Sequence, residues 1–171
     1  MFVLHFYDYA MSLYPPLHLP PCSLRFGSDR GRQTVLDPLR RKYVALTPEE
    51  WVRQHFVHYL LSEKGVPAEL TANEVPITLN SLSRRCDTVV YNRQLRPLAI
   101  AEYKAPSVAI TLRVFEQIAR YNMVLAVPFL LVSNGLRHFC FRQNQSMDAY
   151  LPMDHIPAYD EMLLALDQRA T

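Results

Sequence analysis

One stretch constrains this chain more than any other: Arg84 to Ala105, which reads RRCDTVVYNRQLRPLAIAEYKA. β-Branched and aromatic residues dominate Arg85–Tyr91 and Leu98–Tyr103, and Asn92–Pro97 between them carries turn chemistry. Two strands joined by so short a loop form an antiparallel hairpin. Side chains alternate along a strand, so Asp87, Val89 and Tyr91 share one face. On the second strand Leu98, Ile100, Glu102 and Lys104 do the same. Pairing Tyr91 with Leu98 sets Val89 against Ile100 and Asp87 against Glu102.

Directly opposed side chains have Cβ atoms about 4.5–5.5 Å apart, and like charges there are destabilising. At an effective dielectric near 20, two such carboxylates repel by roughly 3 kcal/mol. Val89 and Ile100 beside them worsen screening by water. Relief comes from protonating one acid or from a cation between the two. Magnesium takes oxygen ligands, commonly one or two carboxylates with waters and substrate phosphate. Lys104 lies one pleat further, placed to orient a water or neutralise a phosphate. The spacing therefore points to a magnesium site for phosphodiester hydrolysis. The plain alternative is an edge hairpin whose Asp, Glu and Lys only solvate its surface.

With 171 residues, half of them hydrophobic, the chain can bury one proper core and is read as one domain. Residues 1–16 are read as an extension, with Met11 an equally good start, residues 17–160 as the domain, and 161–171 as a tail or helix. A formal charge of +2 does not by itself imply nucleic acid, but the basic residues cluster at Arg40-Arg41-Lys42 and Arg84-Arg85. Cys22, Cys86 and Cys140 are widely spaced and odd in number; they show no zinc spacing and argue against a disulfide framework. His55 and His58 form a spaced pair without a third ligand. Four glycines leave little from which to build a phosphate-cradling loop. The opening MFVLHFYDYA is short, contains Asp8 and lacks a basic leader, so neither a signal peptide nor a membrane span is expected.

A proline-rich arm over Leu13–Cys22 leads to two short strands joined at Gly27–Gly31, the second covering Gln33–Leu36. Thr47-Pro48-Glu49-Glu50 then opens a helix with an N-cap, a proline and a capping-box acid, ending at Gly65. That helix is apolar nearly all round and should lie buried between layers. A strand over Leu70–Leu79 turns at Asn80-Ser81 into the hairpin. The second helix is expected over Ser107–Leu125, with Arg113, Glu116 and Arg120 exposed and Val108, Leu112, Phe115 and Ala119 on one apolar flank. Gln117 and Tyr121 sit one turn apart on the other flank. Val127–Val132 is a strand buried on both faces, Leu136–Arg142 an edge strand, and Tyr159–Leu166 a final helix. A crossover helix makes the Glu102 and Val127 strands parallel neighbours. The fold class is α/β, a mixed sheet with helices on both faces.

The order αβββαβ, with Asp87 and then Glu102-Tyr103-Lys104, resembles the PD-(D/E)XK nuclease superfamily, the restriction-endonuclease-like fold. Gln117-Ile118-Ala119-Arg120-Tyr121 resembles the QxxxY element of its RecB-like and type I restriction branches. The runs VLDPLRRKYVALTPEEWVRQHF, RRCDTVVY, AEYKAPS and QIARYN are similar to small stand-alone proteins carrying the type I restriction enzyme R-subunit N-terminal domain. The resemblance covers about Leu17 to Tyr159. Cys86 stands where the superfamily name has proline, and no Walker motif for an ATP-driven translocase is present.

The resemblance implies a metal-dependent DNA endonuclease. Asp87, Glu102 and the carbonyl of Tyr103 would hold magnesium, with manganese as a substitute, and Glu50 a second ion or its water. Glu49 is the other candidate for this first-helix acid. Lys104 would position or activate the attacking water. Gln117, Tyr121, Arg84 and Arg85 would contact or brace the substrate. The implied partners are DNA and proteins of restriction-modification or repair, in a cytoplasmic protein without a membrane; homodimerisation stays open. The rival class is a non-catalytic module of nuclease fold that binds DNA or protein.

Overall fold

A computed structural model describes residues 14–79 and 82–167. Strands β1 (Phe26–Asp29), β2 (Arg32–Asp37) and β3 (Lys42–Ala45) form a small antiparallel meander. Helix α1 (Pro48–Ser62) follows, then a single 3-10 turn (Ala68–Leu70) and the long strands β4 (Thr71–Leu79) and β5 (Leu82–Tyr91). After β6 (Pro97–Tyr103) come α2 (Leu112–Leu125), β7 (Phe129–Ser133), β8 (His138–Gln143), β9 (Tyr150–Met153) and α3 (Tyr159–Asp167). The larger sheet has the order β4-β5-β6-β7-β8-β9, and only β6 and β7 run parallel. The crossover through α2 is what parallel pairing of these two strands requires.

Helix α1 starts where capping chemistry places it. The Thr47 hydroxyl accepts from the Glu50 N–H at 3.0 Å, and Pro48 takes the first position. The helix is buried on nearly every side because it lies between two sheets. Val52, Phe56 and Leu60 pack on Ala99, Ala101 and Leu131 of the larger sheet, with Met162 of α3 beside them. Trp51 turns the other way, into a core with Val35 and Leu46 of the meander region, and its ring stacks on Tyr14 at 5.4 Å. The opposite face of the larger sheet is covered by Val114 and Ile118 of α2, packed on Val89, Ile100 and Val132. Helices thus cover both faces of a mixed sheet, as expected.

Several elements differ in detail from the sequence reading. Val89 does pair with Ile100, but Tyr91 pairs with Pro97, not Leu98, because a bulge falls between Val90 and Tyr91. Helix α2 begins at Leu112, not Ser107: the Val108 N–H closes a turn on Ala105 O at 2.9 Å, and Thr111 is still extended. Its buried stripe is Val114 with Ile118, while Leu112 is 72% exposed. Strand β8 is not an edge, since β9 pairs with it, and β3 adds a third strand to the meander. Strand β9 (YLPM) escapes pattern reading because it is short and contains Pro152, which an edge strand tolerates. The Asn80-Ser81 turn lies outside the described residues. No helix among the described residues is long and apolar enough to cross a membrane.

The arm ahead of β1 is tied down. His18 N–H donates to Gly135 O at 2.8 Å, and Trp51 Nε1 donates to Pro15 O at 3.3 Å. Gly135 has φ +81, and a Cβ there would lie 2.6 Å from Leu17 Cδ2. Gly135→Ala should therefore cost about 2 kcal/mol through left-handed strain and crowding. Urea unfolding followed by fluorescence of Trp51, the sole tryptophan, measures it; an unchanged midpoint would show that the arm yields freely.

Candidate active site

The registers on either side of Thr88 place Asp87 in line with Glu74 on β4 and Glu102 on β6. Asp87 and Glu102 are both buried, at 9% and 3% exposure. Asp87 Oδ1 accepts from Arg53 Nη2 at 2.8 Å, and Oδ2 accepts from the Tyr103 backbone N–H at 2.9 Å. Glu102 Oε1 accepts from Lys104 Nζ at 2.8 Å and from Gln117 Nε2. Lys104 Nζ also donates to Gln117 Oε1 at 3.2 Å, closing a three-membered ring of contacts. Strands β5 and β6 and helix α2 therefore bring Asp87, Glu102, Lys104 and Gln117 together. Gln117 can reach Glu102 because α2 returns over the face that bears Ile100.

Electrostatics follow from this packing. Burial, then the charge of Asp87, push the Glu102 carboxyl up to about 7, although the Lys104 hydrogen bond opposes. Burial also raises Asp87, against the Arg53 guanidinium and the Tyr103 N–H. Burial works against the Lys104 ammonium, but its hydrogen bond to Glu102 and the charge of Glu102 raise it overall, so it stays charged at neutral pH.

Of the two acids that open α1, Glu49 feels the charges of Asp87 and Lys104, whereas Glu50 is engaged by other partners. Glu50 Oε1 is taken by Gln54 Nε2 at 2.7 Å and Arg40 Nη2 at 3.5 Å, and Oε2 by Arg53 Nη1 at 2.9 Å. Glu50 is thus turned into a cage of cations and an amide. Burial and then the charge of Asp87 raise Glu49, with Lys104 pulling it back. That places Glu49 within electrostatic reach of both. Arg85 is exposed and contacts Glu74 at 3.3 Å, so it reaches Asp87 only through Glu74 and Arg53. Arg84 is exposed on the same strand. Tyr121 lies one turn beyond Gln117 in α2, and its side chain lies outside the described set.

Sequence reasoning missed Arg53 and Glu74. Arg53 Nη1 meets Glu50 at 2.9 Å and Glu74 at 2.6 Å, while Nη2 meets Asp87. Arg53, flanked by Trp51, Val52, Phe56 and Val57 in a helix expected to be buried, was the available signal, because a buried cation must find anions. Glu74 has φ +57, uncommon for a non-glycine residue. A polar chain also runs behind the site: Tyr103 OH donates to Thr88 Oγ1 at 3.0 Å, and Thr88 donates to Asn73 Oδ1 at 2.7 Å. Asn73 Nδ2 donates to Asp37 Oδ2 at 2.9 Å, and Arg40 Nε to the same oxygen at 2.6 Å.

Among the described residues no three His, Cys, Asp or Glu side chains converge closely enough to form a metal cage. A cage is not what magnesium needs, since one or two carboxylates with waters suffice. Two buried carboxylates in line, both raised by burial with Asp87 adding to Glu102, are a hard-oxygen donor pair that fits such an ion. His55 and His58 do not add to it: His55 Nδ1 contacts Trp51 O at 2.8 Å, and His58 Nδ1 contacts Ser62 Oγ.

Residues 48–157 match the model of the family described as "Type I restriction enzyme R protein N terminus (HSDR_N)". The chain belongs to this family. Its HSDR_N region runs from the first residue of α1 to just past β9 and contains Asp87, Glu102, Lys104 and Gln117. The chain is similar to a structure of a fragment from Vibrio vulnificus YJ016 assigned as the HsdR subunit of a type I restriction enzyme. That likeness has a TM-score of 0.54 and 18% identity, covers 72% of this chain and 26% of that chain, and speaks for the fold alone. The match thus spans about a quarter of the length of that fragment's chain. A structure from Anabaena variabilis ATCC 29413, assigned as a DUF820 nuclease, aligns with TM-score 0.46 and 11% identity over 85% of this chain and 88% of that one. No curated protein matches the chain.

The raised Glu102 has a signed consequence for stability. Its folded value, about 7, exceeds the unfolded carboxylate value near 4.3. The folded state therefore holds a proton that the unfolded state releases, and stability falls as pH rises from about 4.5 through 7. For so buried a group the loss is on the order of 3 kcal/mol. Urea unfolding of metal-free protein at several pH values should show this decline, and Glu102→Gln should flatten it. Equal slopes in both proteins would refute the assignment.

Proposed function

We propose that this HSDR_N domain is a magnesium-dependent nuclease that hydrolyses phosphodiester bonds in DNA, with manganese as a substitute. The observation that supports this best is the convergence of Asp87, Glu102, Lys104 and Gln117 from three elements on one buried spot. Asp87 and Glu102, with the Tyr103 carbonyl, would hold the ion, and Glu49 takes the role first considered for Glu50. When bound, the ion supplies Lewis-acid polarisation of the phosphate and charge neutralisation.

The chain's own groups have separable tasks. Arg53 and the Tyr103 N–H hold the two Asp87 oxygens at 2.8 and 2.9 Å, which fixes the carboxylate before substrate arrives. Lys104, charged at neutral pH, donates hydrogen bonds; it orients the attacking water and stabilises charge gathering on the phosphate oxygens, rather than accepting a proton. Water oxygen bonds to phosphorus and releases one proton to solvent as the phosphorus–oxygen bond to the leaving strand breaks, and the leaving oxygen takes a proton from solvent. Gln117 holds Glu102 and Lys104 in register, and Tyr121, Arg84 and Arg85 are assigned to the substrate backbone. DNA is the proposed partner, in a cytoplasmic restriction-modification or repair setting, with an ATP-driven partner outside this chain wherever translocation is required.

One observation favours the rival reading, a binding module that does not cut. Both Asp87 oxygens and Glu102 Oε1 already accept hydrogen bonds from protein donors. Lys104→Ala separates the two. The nuclease reading predicts that plasmid cleavage falls at least a hundredfold while manganese binding by calorimetry stays within a few-fold. No cleavage by wild type at any magnesium or manganese concentration, with DNA binding retained, would favour the module.

A further inference from the structure

Positive charge is unevenly spread along the chain. Residues 25–45 carry six basic side chains against Asp29 and Asp37, whereas the rest holds twelve basic against fourteen acidic. This span is the β1–β3 meander with its flanks, and it precedes the family-matched residues 48–157. Asp37 is fully buried and bound to Arg40 at 2.6 Å, so neither offers free charge to a partner. Arg25 is exposed just ahead of β1, and the exposed cations at the ends of β2 are Arg30 and Arg32, with exposed Asp29 opposite Arg32, at one end and Arg41 and Lys42 at the other.

Two features make this more than a solvated face. Arg30 and Arg41 sit at φ 48 and φ 52, in the turns that bound β2. Glycine or asparagine is favoured there, and an arginine costs about 1–2 kcal/mol. Leu95, Ala126 and Met147 share that conformation, so what sets these two turns apart is an exposed cation at the strained position. The two clusters are separated by the length of β2, about 17 Å at about 3.4 Å per residue. A span of that length can reach more than one phosphate of a duplex, whose charges recur about every 3.4 Å of axis on each strand. Tyr43, 53% exposed, lies between the clusters, its ring so close to Gly27 that a Cβ there would meet Cε1 at 3.1 Å.

The meander is also fastened to the candidate site. Arg40, adjacent to the second cluster, spans Asp37 and Glu50, and Asp37 accepts from Asn73 of β4. A duplex gripped by the meander would therefore be held in fixed register with the first turn of α1 and with Asp87.

We propose that the two ends of the β1–β3 meander, Arg30 with Arg32 and Arg41 with Lys42, bind phosphates of a duplex outside the reacting centre and form a second DNA contact. This rests on the DNA reading above and adds a separate site to it. Each phosphate contact contributes about 0.9 to the slope of log affinity against log salt, worth roughly eightfold at 0.1 M.

The test is fluorescence anisotropy of a labelled duplex in EDTA, where no cleavage can occur, across a salt series. Two double variants are used, Arg30→Ser with Arg32→Ser and Arg41→Ser with Lys42→Ser, together with Lys104→Ala. Each double variant should weaken binding at least tenfold at about 0.1 M salt and lower the slope by about 1–2, with its melting temperature unchanged. Lys104→Ala should keep the slope to within one contact. Double variants that bind like wild type would overturn the meander surface while leaving the nuclease reading standing. A wild-type protein that binds no duplex at low salt would overturn both.

Discussion

Two acids that should repel are held in line on neighbouring strands and out of water, and much of the molecule is arranged around that pair. Asp87 and Glu102 are buried by the same packing that forms the core: Val89 and Ile100 beside them, α2 above, α1 to the side. Their repulsion is met by cations from different elements, Arg53 from α1 at 2.8 Å and Lys104 at the end of β6 at 2.8 Å. Each cation serves a second acid or amide too. Removing one leaves a buried charge uncompensated, which is expensive.

Helix α1 is the mechanical link in this arrangement. Lying between two sheets, it carries the apolar residues of two cores and three polar residues of the site region, Glu49, Glu50 and Arg53. Glu50 and Arg53 belong to a hydrogen-bonded circuit that passes through Arg40, Asp37, Asn73, Thr88 and Tyr103 and returns to Asp87. Such a circuit is rigid only when each member is satisfied. Arg53 Nε is the one buried side-chain polar atom without a partner among the described residues.

The hairpin, the crossover and the burial of α1 were legible because each rests on a local rule: alternation, capping or length of connection. The pairing of Val89 with Ile100 followed from alternation, and the bulge between Val90 and Tyr91 did not, since one extra residue in a strand leaves no mark in the sequence alternation. The choice between Glu49 and Glu50 was not legible. Adjacent helix residues point about 100° apart, and only the partners Arg40, Arg53 and Gln54 show which way Glu50 turns. Glu74 could not be found from its strand either, because its backbone leaves the alternation on which strand reading depends. Strand β9 has too few residues to show a period at all.

The central claim is that the buried Asp87–Glu102 pair is a cation site. Titrating manganese and magnesium into wild type and Glu102→Gln while following thermal unfolding tests it most directly. The account predicts that either ion raises the wild-type midpoint by several degrees in a saturable manner and leaves Glu102→Gln unmoved. A metal-insensitive wild type, with Glu102→Gln more stable at neutral pH, would contradict it and leave the pair as an unrelieved repulsion.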